Sequence, residues 1–335
     1  MQAEVRLTRG EIFDKIVYQL KDKAIWLVFV ALFIFFANAN PRFVDPSNLL
    51  IVLRQVSMFG IAAVGMTYVI LTAGIDLSVG AIISLVGVVC AYLIAFLGFS
   101  MWVAIPISLA LATTIGLANG FMVATVGMPA IIATFASQIV VQGAAFMISG
   151  GSPIRPDGGF SEPFRFIGQG LIGQEAFYTP IPVPVVIMII CFAIGSFILN
   201  KTYFGRFFYA VGGNEEASKL SGIRTARVKY MVYAMSGLFA GIAGIVLLSR
   251  TNSAQPSAGI GWEFDVITCV VLGGVSINGG KGKISNVVAG VLIIGILTNG
   301  MVLMNISAFT QMIVRGCVLA AAVGFDCFQK RKQIA

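Results

Sequence analysis

Six polar residues stand inside stretches of sequence that are otherwise almost entirely apolar. They are two aspartates, an arginine, two glutamines and an asparagine: Asp76, Asp265, Arg315, Gln138, Gln142 and Asn299. Such groups are costly inside a membrane, so they usually pair with one another or line a polar pathway. These six are therefore the candidate pathway residues of the chain.

The three charged residues among them allow different interpretations. Asp76 and Asp265 lie near the ends of apolar runs, where an acid either caps a helix or reaches towards water, or instead lines a pathway or pairs across a helix bundle. Arg315 lies about eight residues into the last apolar run and shares a helical face with Gln311. We expect it to have a buried acidic or carbonyl partner, which the sequence does not identify.

The three amide residues are equally open to two interpretations. Gln138 and Gln142 are one helical turn apart, and Asn299 lies in a later apolar run. Amides in membrane helices hydrogen-bond neighbouring helices, and they can also hydrogen-bond the hydroxyl groups of a substrate. Both roles stay open.

Several kinds of chemistry are excluded by residue type. The chain contains no histidine, which excludes a histidine proton relay, a histidine-ligated metal and a Ser-His-Asp triad. The phosphate-binding pattern Gly-x-x-x-x-Gly-Lys-Ser/Thr is also missing, because Gly282 and Lys283 are followed by Ile284. With no cluster of acid, base and nucleophile, we expect a chain that is not an enzyme and binds no cofactor or metal.

Composition places the chain in a membrane. Of its 335 residues 58% are hydrophobic and only 11% are charged, and the mean hydropathy is +0.94. Since a membrane-spanning helix needs about 20 apolar residues, we predict an all-α integral membrane protein with about ten transmembrane helices. They fall at 24–39, 50–72, 77–98, 101–124, 128–149, 182–200, 229–249, 264–278, 285–304 and 307–326.

The distribution of basic residues predicts the orientation. Lysine and arginine concentrate before residue 24, in 201–229, at 281–283 and at 330–332. Cytoplasmic loops carry an excess of these residues, and ten spans place all four segments on one side. We therefore expect cytoplasmic N- and C-termini, and an external segment at 151–181.

Two sequence patterns predict how the helices of the bundle are arranged: glycine spacing and a weak internal repeat. Gly116-x-x-x-Gly120 and the glycines of 237–244 have the spacing at which membrane helices pack closely. The sequence 75–78 and the sequence 263–266 both place an aspartate just before or at the start of an apolar run. Because these runs are five spans apart, we predict an inverted repeat of spans 2–5 and 7–10; chance resemblance is the alternative.

The polar segment 201–228 contains the signals of a short helix. Asn214 is a good N-cap, Glu215 and Glu216 suit the first turn, and Gly222 suits the end. A capped, water-exposed helix between two spans is a docking site for a cytoplasmic partner, or else an ordinary solvated connector. The residues predicted to contact the partner are Asn214, Glu215, Glu216, Ala217, Ser218 and Gly222.

Four ordered motifs give the chain a family resemblance from about residue 50 to 325. They are Gly-Ile-Asp-Leu-Ser-Val-Gly at 74–80, Gly-Arg-x-x-Tyr-Ala-x-Gly-Gly-Asn at 205–214, Ser-Ala-Gln-Pro at 253–256, and the glycine-rich stretch at 271–282. In this order they resemble the ribose-type permease subunits of ATP-binding-cassette importers. Glu216-Ala217-Ser218-x-x-x-Gly222 is similar to the coupling-helix pattern of such permeases.

The resemblance implies partners as well as a function. It implies one transmembrane permease domain over 1–335 in a bacterial inner membrane, paired with a second permease subunit. A separate cytoplasmic ATPase subunit, which uses ATP and Mg²⁺, would dock at 201–228, and a periplasmic sugar-binding protein would deliver a monosaccharide, ribose above others. The alternative is a self-sufficient ion-coupled symporter or facilitator. The identity of the sugar, and whether the second subunit is identical, stay open.

Overall fold

A computed structural model describes residues 25–173 and 180–334, with side chains described to residue 328. The helices of the first half are α1 (Ile25–Ala39), α2 (Pro46–Leu71), α3 (Val79–Ala95), α4 (Met101–Ala124), α5 (Ala130–Ser149) and α6 (Glu162–Gln169). The helices of the second half are α7 (Val183–Lys201), α8 (Tyr203–Gly213), α9 (Glu215–Leu220), α10 (Thr225–Thr251), α11 (Trp262–Leu272), α12 (Ile284–Leu303) and α13 (Ala308–Ile334). The 3-10 helix Pro41–Val44 joins α1 to α2.

Seven of the described helices, α2, α4, α5, α7, α10, α12 and α13, are long and apolar enough to cross a membrane. Two shorter apolar helices, α1 and α3, coincide with predicted spans, and α11 is only 11 residues long. The prediction of an all-helical membrane protein is therefore confirmed. The basic residues before position 24 lie outside the described residues, as do the side chains at 330–332.

Helices α2 and α10 form the centre of the bundle. α10 packs against α2, α3 and α4, and α12 covers α2 from another side. The close-packing glycines lie where α4 crosses α10: a Cβ atom on Gly116 would overlap the carbonyl oxygen of Tyr233, and one on Gly237 would overlap that of Ala112. Backbone contact of this kind requires glycine, so the interpretation of these glycines as packing residues is confirmed.

Helices α3 and α11 are short because loops enter the bundle before them. The contacts along α5 show their order: Thr134, Gln138 and Gln142, each one turn apart, meet the carbonyl oxygen of Ile75, the side chain of Glu263 and the carbonyl oxygen of Pro256. Since one turn rises by about 5–6 Å, the loop before α3 contacts α5 near its N-terminal end, whereas the loop before α11 reaches past its middle. The bundle therefore contains two short helices, α3 and α11, each preceded by a loop that contacts α5.

The eighth predicted span is too long at its C-terminal end. The prediction ran to residue 278, but α11 ends at Leu272. Gly273 caps the helix and Gly274 has a φ of +79°, a conformation that glycine adopts without strain. The residues from 273 to 283 form a loop, because the apolar character of Val275 and Ile277 does not overcome these glycines.

The predicted external segment has structure of its own. It contains α6 and a two-stranded antiparallel sheet of β1 (Leu171–Ile172) and β2 (Ile181–Pro182). Ser249, near the end of α10, accepts a hydrogen bond from the backbone N–H of Gly168 at 2.7 Å and donates one to the carbonyl of Phe164 at 2.6 Å. The segment is therefore packed against the end of α10. Residues 174–179, including Glu175, lie outside the described residues.

Candidate functional site

The predicted partner-binding segment is folded into two helices, α8 and α9, before α10 begins. Asn214 caps α9 as expected: its side-chain oxygen accepts a 2.9 Å hydrogen bond from the backbone N–H of Ala217. Gly222 has a φ of +83°, and Ile223 donates its N–H to the carbonyl of Ser218 at 3.0 Å, which closes the helix. The predicted boundaries of α9 are confirmed, whereas α8 was not expected.

An ion cluster holds α9 against α10. Glu215 accepts from Lys229 at 2.7 Å and pairs with Lys219 at 3.2 Å. Burial by itself would raise the pKa of Glu215, but the hydrogen bonds and charges of the two lysines outweigh it, so the pKa lies below its ordinary value. The N-terminal end of α9 is thereby fixed to the bundle, and the rest of the helix projects from it.

The outer face of α9 is available for contact. Ser218 is buried beneath the helix, whereas Glu216 and Ala217 are exposed. Leu220, at the end of the helix, has 91% of its surface exposed. An apolar side chain beside an acidic one on a projecting helix suits insertion into a groove of another protein. Leu220 was missed by the sequence analysis, since a lone leucine in a polar segment carries no signal.

Helix α8 connects this segment to the membrane part of the bundle. Tyr209 donates its hydroxyl to the carbonyl of Gly282 at 2.8 Å. A Cβ atom on Gly212 would overlap the carbonyl oxygen of Leu71, which also accepts the N–H of Gly280 at 2.9 Å. α8, the end of α2 and the glycine-rich loop are therefore in direct backbone contact.

Asp76 lies at the centre of a buried hydrogen-bond network. Its carboxylate accepts from the hydroxyl of Ser78 at 2.6 Å, from the N–H of Ser78 at 3.0 Å, and from the hydroxyl of Ser236 in α10 at 2.8 Å. Asn119 in α4 donates to Ser78 at 2.8 Å. Asp76 is fully buried, so the interpretation that it reaches towards water is wrong, and it pairs across the bundle instead.

Arg315 has the acidic partner that was expected, and the structure identifies it as Asp265. Their side chains form a 2.8 Å ion pair between α13 and α11, with Asp265 6% exposed and Arg315 30% exposed. This contact accounts for the presence of both charges inside the bundle, because each charge compensates the other. The alternative for Asp265 of reaching towards water does not hold. Gln311 donates its amide to the carbonyl of Ile306 at 2.9 Å.

The three amide residues join helices to one another. Asn299 and Asn48 exchange two hydrogen bonds, of 2.9 and 3.0 Å, between α12 and α2. Gln142 donates to the carbonyl of Pro256 at 2.6 Å, and Gln138 donates to Glu263 at 2.9 Å. Each amide therefore links two parts of the bundle, which is the role that the helix-joining interpretation gives it.

Glu263 is a buried acid that the sequence analysis did not include among the candidate residues. It lies in the first turn of α11, and one of its carboxylate oxygens has no hydrogen-bond partner in the described part of the chain. The signal was available, because Glu263 precedes Asp265 by two residues in an apolar context. Three buried acids therefore lie at or just before the starts of the short helices α3 and α11: Asp76, Glu263 and Asp265.

Comparisons with known proteins agree with this architecture. A family model described as the permease component of the branched-chain amino acid transport system matches residues 48–323. The chain is 41% identical over 312 residues to the ribose import permease protein of Haemophilus influenzae, covering 91% of this chain and 94% of that protein. It is 43% identical over 287 residues to the ribose import permease protein of Bacillus subtilis, with 86% and 87% covered.

A sugar permease with another named substrate is about as similar. The chain is 41% identical over 305 residues to the L-arabinose transport system permease protein of Escherichia coli, covering 91% of this chain and 90% of that protein. No solved structure matches the chain.

Proposed function

The chain belongs to the family of permease components described above, and from this premise we propose that it is the membrane subunit of an ATP-binding-cassette importer that carries ribose into the cytoplasm. The observation that carries the proposal is the identity of 41–43% over most of the chain with ribose import permeases. The chain is a multi-pass protein of the inner membrane. The symporter or facilitator alternative is not favoured by these relatives.

The partners follow from the family and from the missing phosphate-binding pattern. A separate cytoplasmic ATPase subunit binds ATP and Mg²⁺ and docks on α9 through the exposed residues Asn214, Glu216, Ala217 and Gly222. The other two predicted contact residues, Glu215 and Ser218, face the bundle instead, because Glu215 pairs with Lys229 and Ser218 is buried. A periplasmic sugar-binding protein delivers the substrate to the external segment at 151–181, and a second copy of this permease completes the pathway. Support for the docking helix comes from its firm attachment at Glu215 and its exposed outer face.

The proposed topology has ten membrane crossings with both termini in the cytoplasm. In the described part of the chain, nine apolar helices lie at nine of the ten predicted spans and the 11-residue helix α11 lies at the start of the eighth. An even number of crossings keeps the basic segments on one side, which supports the proposal. The two short helices, α3 and α11, are the third and eighth crossings and occupy equivalent positions in the inverted repeat of spans 2–5 and 7–10. Such positions place the pathway at the repeat interface.

The six polar residues of the spans connect the helices that form the walls of this pathway. Asp76 fixes the start of α3, and the pair of Asp265 and Arg315 fixes α11 to α13. Gln138 and Gln142 tie α5 to α11 and to the loop before it, while Asn299 ties α12 to α2. A weakly binding passage is sufficient for an importer in which a separate binding protein selects the sugar.

The experiment is uptake of radiolabelled ribose into proteoliposomes that contain the permease, with and without the ATPase and binding protein. We expect uptake to need all three proteins and ATP. Glu216→Lys and Gly222→Val should abolish uptake and sugar-stimulated ATP hydrolysis, because the first reverses a charge on the docking face and the second strains the end of α9. Both variants should insert into the membrane at the normal level. Uptake by the permease alone, without ATP, would refute the proposal.

A further inference from the structure

The glycine-rich loop at 273–283 has a conformation that requires glycine. Five of its residues are glycine, and four of these, Gly274, Gly279, Gly280 and Gly282, have positive φ values. Glycine adopts such conformations without strain, but it loses more conformational freedom on ordering than any other residue. We therefore expect the position of this loop to depend on its contacts with neighbouring helices.

Two membrane helices hold the loop from different sides. At the end of α2, the carbonyl of Leu71 accepts the N–H of Gly280 at 2.9 Å. Near the end of α13, the carboxylate of Asp326 accepts the hydroxyl of Ser276 at 3.0 Å and the N–H of Ile277 at 3.2 Å. Both α2 and α13 are long and apolar enough to cross a membrane, so these contacts fix the loop to the membrane part of the bundle.

Helix α8 holds the loop through a side-chain hydrogen bond and a backbone contact. The hydroxyl of Tyr209 donates to the carbonyl of Gly282 at 2.8 Å. At Gly212 the two backbones lie so close that an added Cβ atom would approach the backbone nitrogen of Gly280 to 2.6 Å. Close packing at Gly212 resists a closer approach of α8 and the loop. The hydrogen bond of Tyr209 resists their separation.

Helix α8 is continuous with the proposed docking helix. It ends at Gly213, and the next residue, Asn214, caps α9. On its other side the loop follows α11 directly, because α11 ends at Leu272. The loop therefore connects the docking segment to α11, one of the two short helices of the bundle.

We propose that Tyr209 is a positioning residue of the transport cycle, which keeps the glycine-rich loop attached to α8 when the ATPase displaces the docking helix. The inference rests on the proposed function, which supplies the ATPase and the displacement. With the hydrogen bond present, the loop follows α8 in both directions and carries the displacement to α11. Without it, α8 can push the loop through the contact at Gly212 but cannot pull it back. ATP is then hydrolysed with less transport.

The test measures ribose uptake and ATP hydrolysis together, in proteoliposomes that contain the full-length permease, its ATPase and the binding protein. We expect Tyr209→Phe to assemble with the ATPase and to hydrolyse ATP at the parental level. It should transport roughly 3- to 10-fold less ribose per ATP, as expected for one lost hydrogen bond. A general loss of folded protein would lower both activities together and leave this ratio unchanged.

Tyr203→Phe is the matched control, because it makes the same substitution in the same helix. Tyr203 is 52% exposed, and its ring packs against Phe204 and Phe207 of α8 itself. Loss of its hydroxyl should leave the ratio of ribose to ATP at the parental value. An equal fall of the ratio in both variants would mean that the effect does not depend on the loop, and would overturn the inference.

The parent protein separates the failure of this inference from the failure of the importer proposal. If the parent imports ribose with ATP and Tyr209→Phe keeps the parental ratio, the importer proposal stands and the role of Tyr209 is wrong. The same conclusion follows if uptake and ATP hydrolysis fall equally in this variant. Absence of ATP-dependent uptake by the parent with all three components present removes the importer proposal, and the role of Tyr209 with it.

Discussion

The ion pair between Asp265 and Arg315 offers a quantitative test of how α11 is held. We consider Arg315→Gln, Asp265→Asn and the double variant. Each single change leaves one charge without its partner across the interface of α11 and α13, whereas the double change removes both charges and keeps similar side-chain volumes. The perturbation therefore separates the interaction between the two groups from the loss of either group.

The burial of the two groups sets the expected magnitudes. Asp265 is 6% exposed and Arg315 is 30% exposed, so a lone carboxylate is harder to accommodate than a lone guanidinium. Loss of one partner from a buried pair costs about 3–5 kcal/mol, and we expect Arg315→Gln to fall in this range. Asp265→Asn should cost less, about 2–3 kcal/mol. The double variant should lose about 2 kcal/mol less stability than the sum of the losses in the two single variants.

The assay is denaturant unfolding of the purified protein in detergent micelles, analysed as a double-mutant cycle. The control is the equivalent cycle on Glu215 and Lys219, whose lysine is 59% exposed; a pair one helical turn apart at the surface should couple by only about 0.2–0.5 kcal/mol. A coupling energy between Asp265 and Arg315 no larger than that of the control would refute the argument from burial.

Three further predictions concern other parts of the structure. Asn214→Ala should cost about 1 kcal/mol of local stability in α9, seen as faster amide hydrogen exchange there; unchanged exchange would contradict the cap. Because lysines lower the pKa of Glu215, the stability that Glu215 gives to α9 is complete above the ordinary carboxyl pKa of about 4.3 and is lost as the pH falls through the lower folded-state pKa. Loss of amide protection in α9 already at pH 6, measured relative to the intrinsic exchange rate at that pH, would argue against this. Gly237→Ala should cost about 1–3 kcal/mol in detergent melting, whereas Gly143→Ala, which meets open space, should change little.

The parts of the fold that depend on neighbouring residues were predictable from the sequence. The boundaries of α9 follow from Asn214 and Gly222, because a cap acts within one turn of its own helix. The close-packing surfaces of α4 and α10 follow from glycines spaced four residues apart, although the sequence does not show that these two helices pack against each other. Each of these features is determined by the chemistry of a few consecutive residues, and the structure confirms them.

The pairings across the bundle were not predictable in the same way. Arg315 was expected to have an acidic or carbonyl partner, but Asp265 is 50 residues away in sequence, and Asp76 and Glu263 were acids of the same type in similar surroundings. Which of these acids pairs with Arg315 depends on the three-dimensional fold of the whole chain. The length of α11 was also overestimated, since hydropathy counts Val275 and Ile277 as membrane residues whereas the glycines before them end the helix.

The loop between α2 and α3 lies between the proposed docking segment and the buried hydrogen-bond network around Asp76. At one end, the carbonyl of Leu71 contacts Gly212 of α8 and accepts the N–H of Gly280. Five residues later, Asp76 holds the start of α3 to Ser236 of α10. This short segment is therefore fixed at both ends by buried contacts. We therefore expect a displacement of α8 to reach the start of α3 through these contacts, because close-packed interiors transmit small shifts.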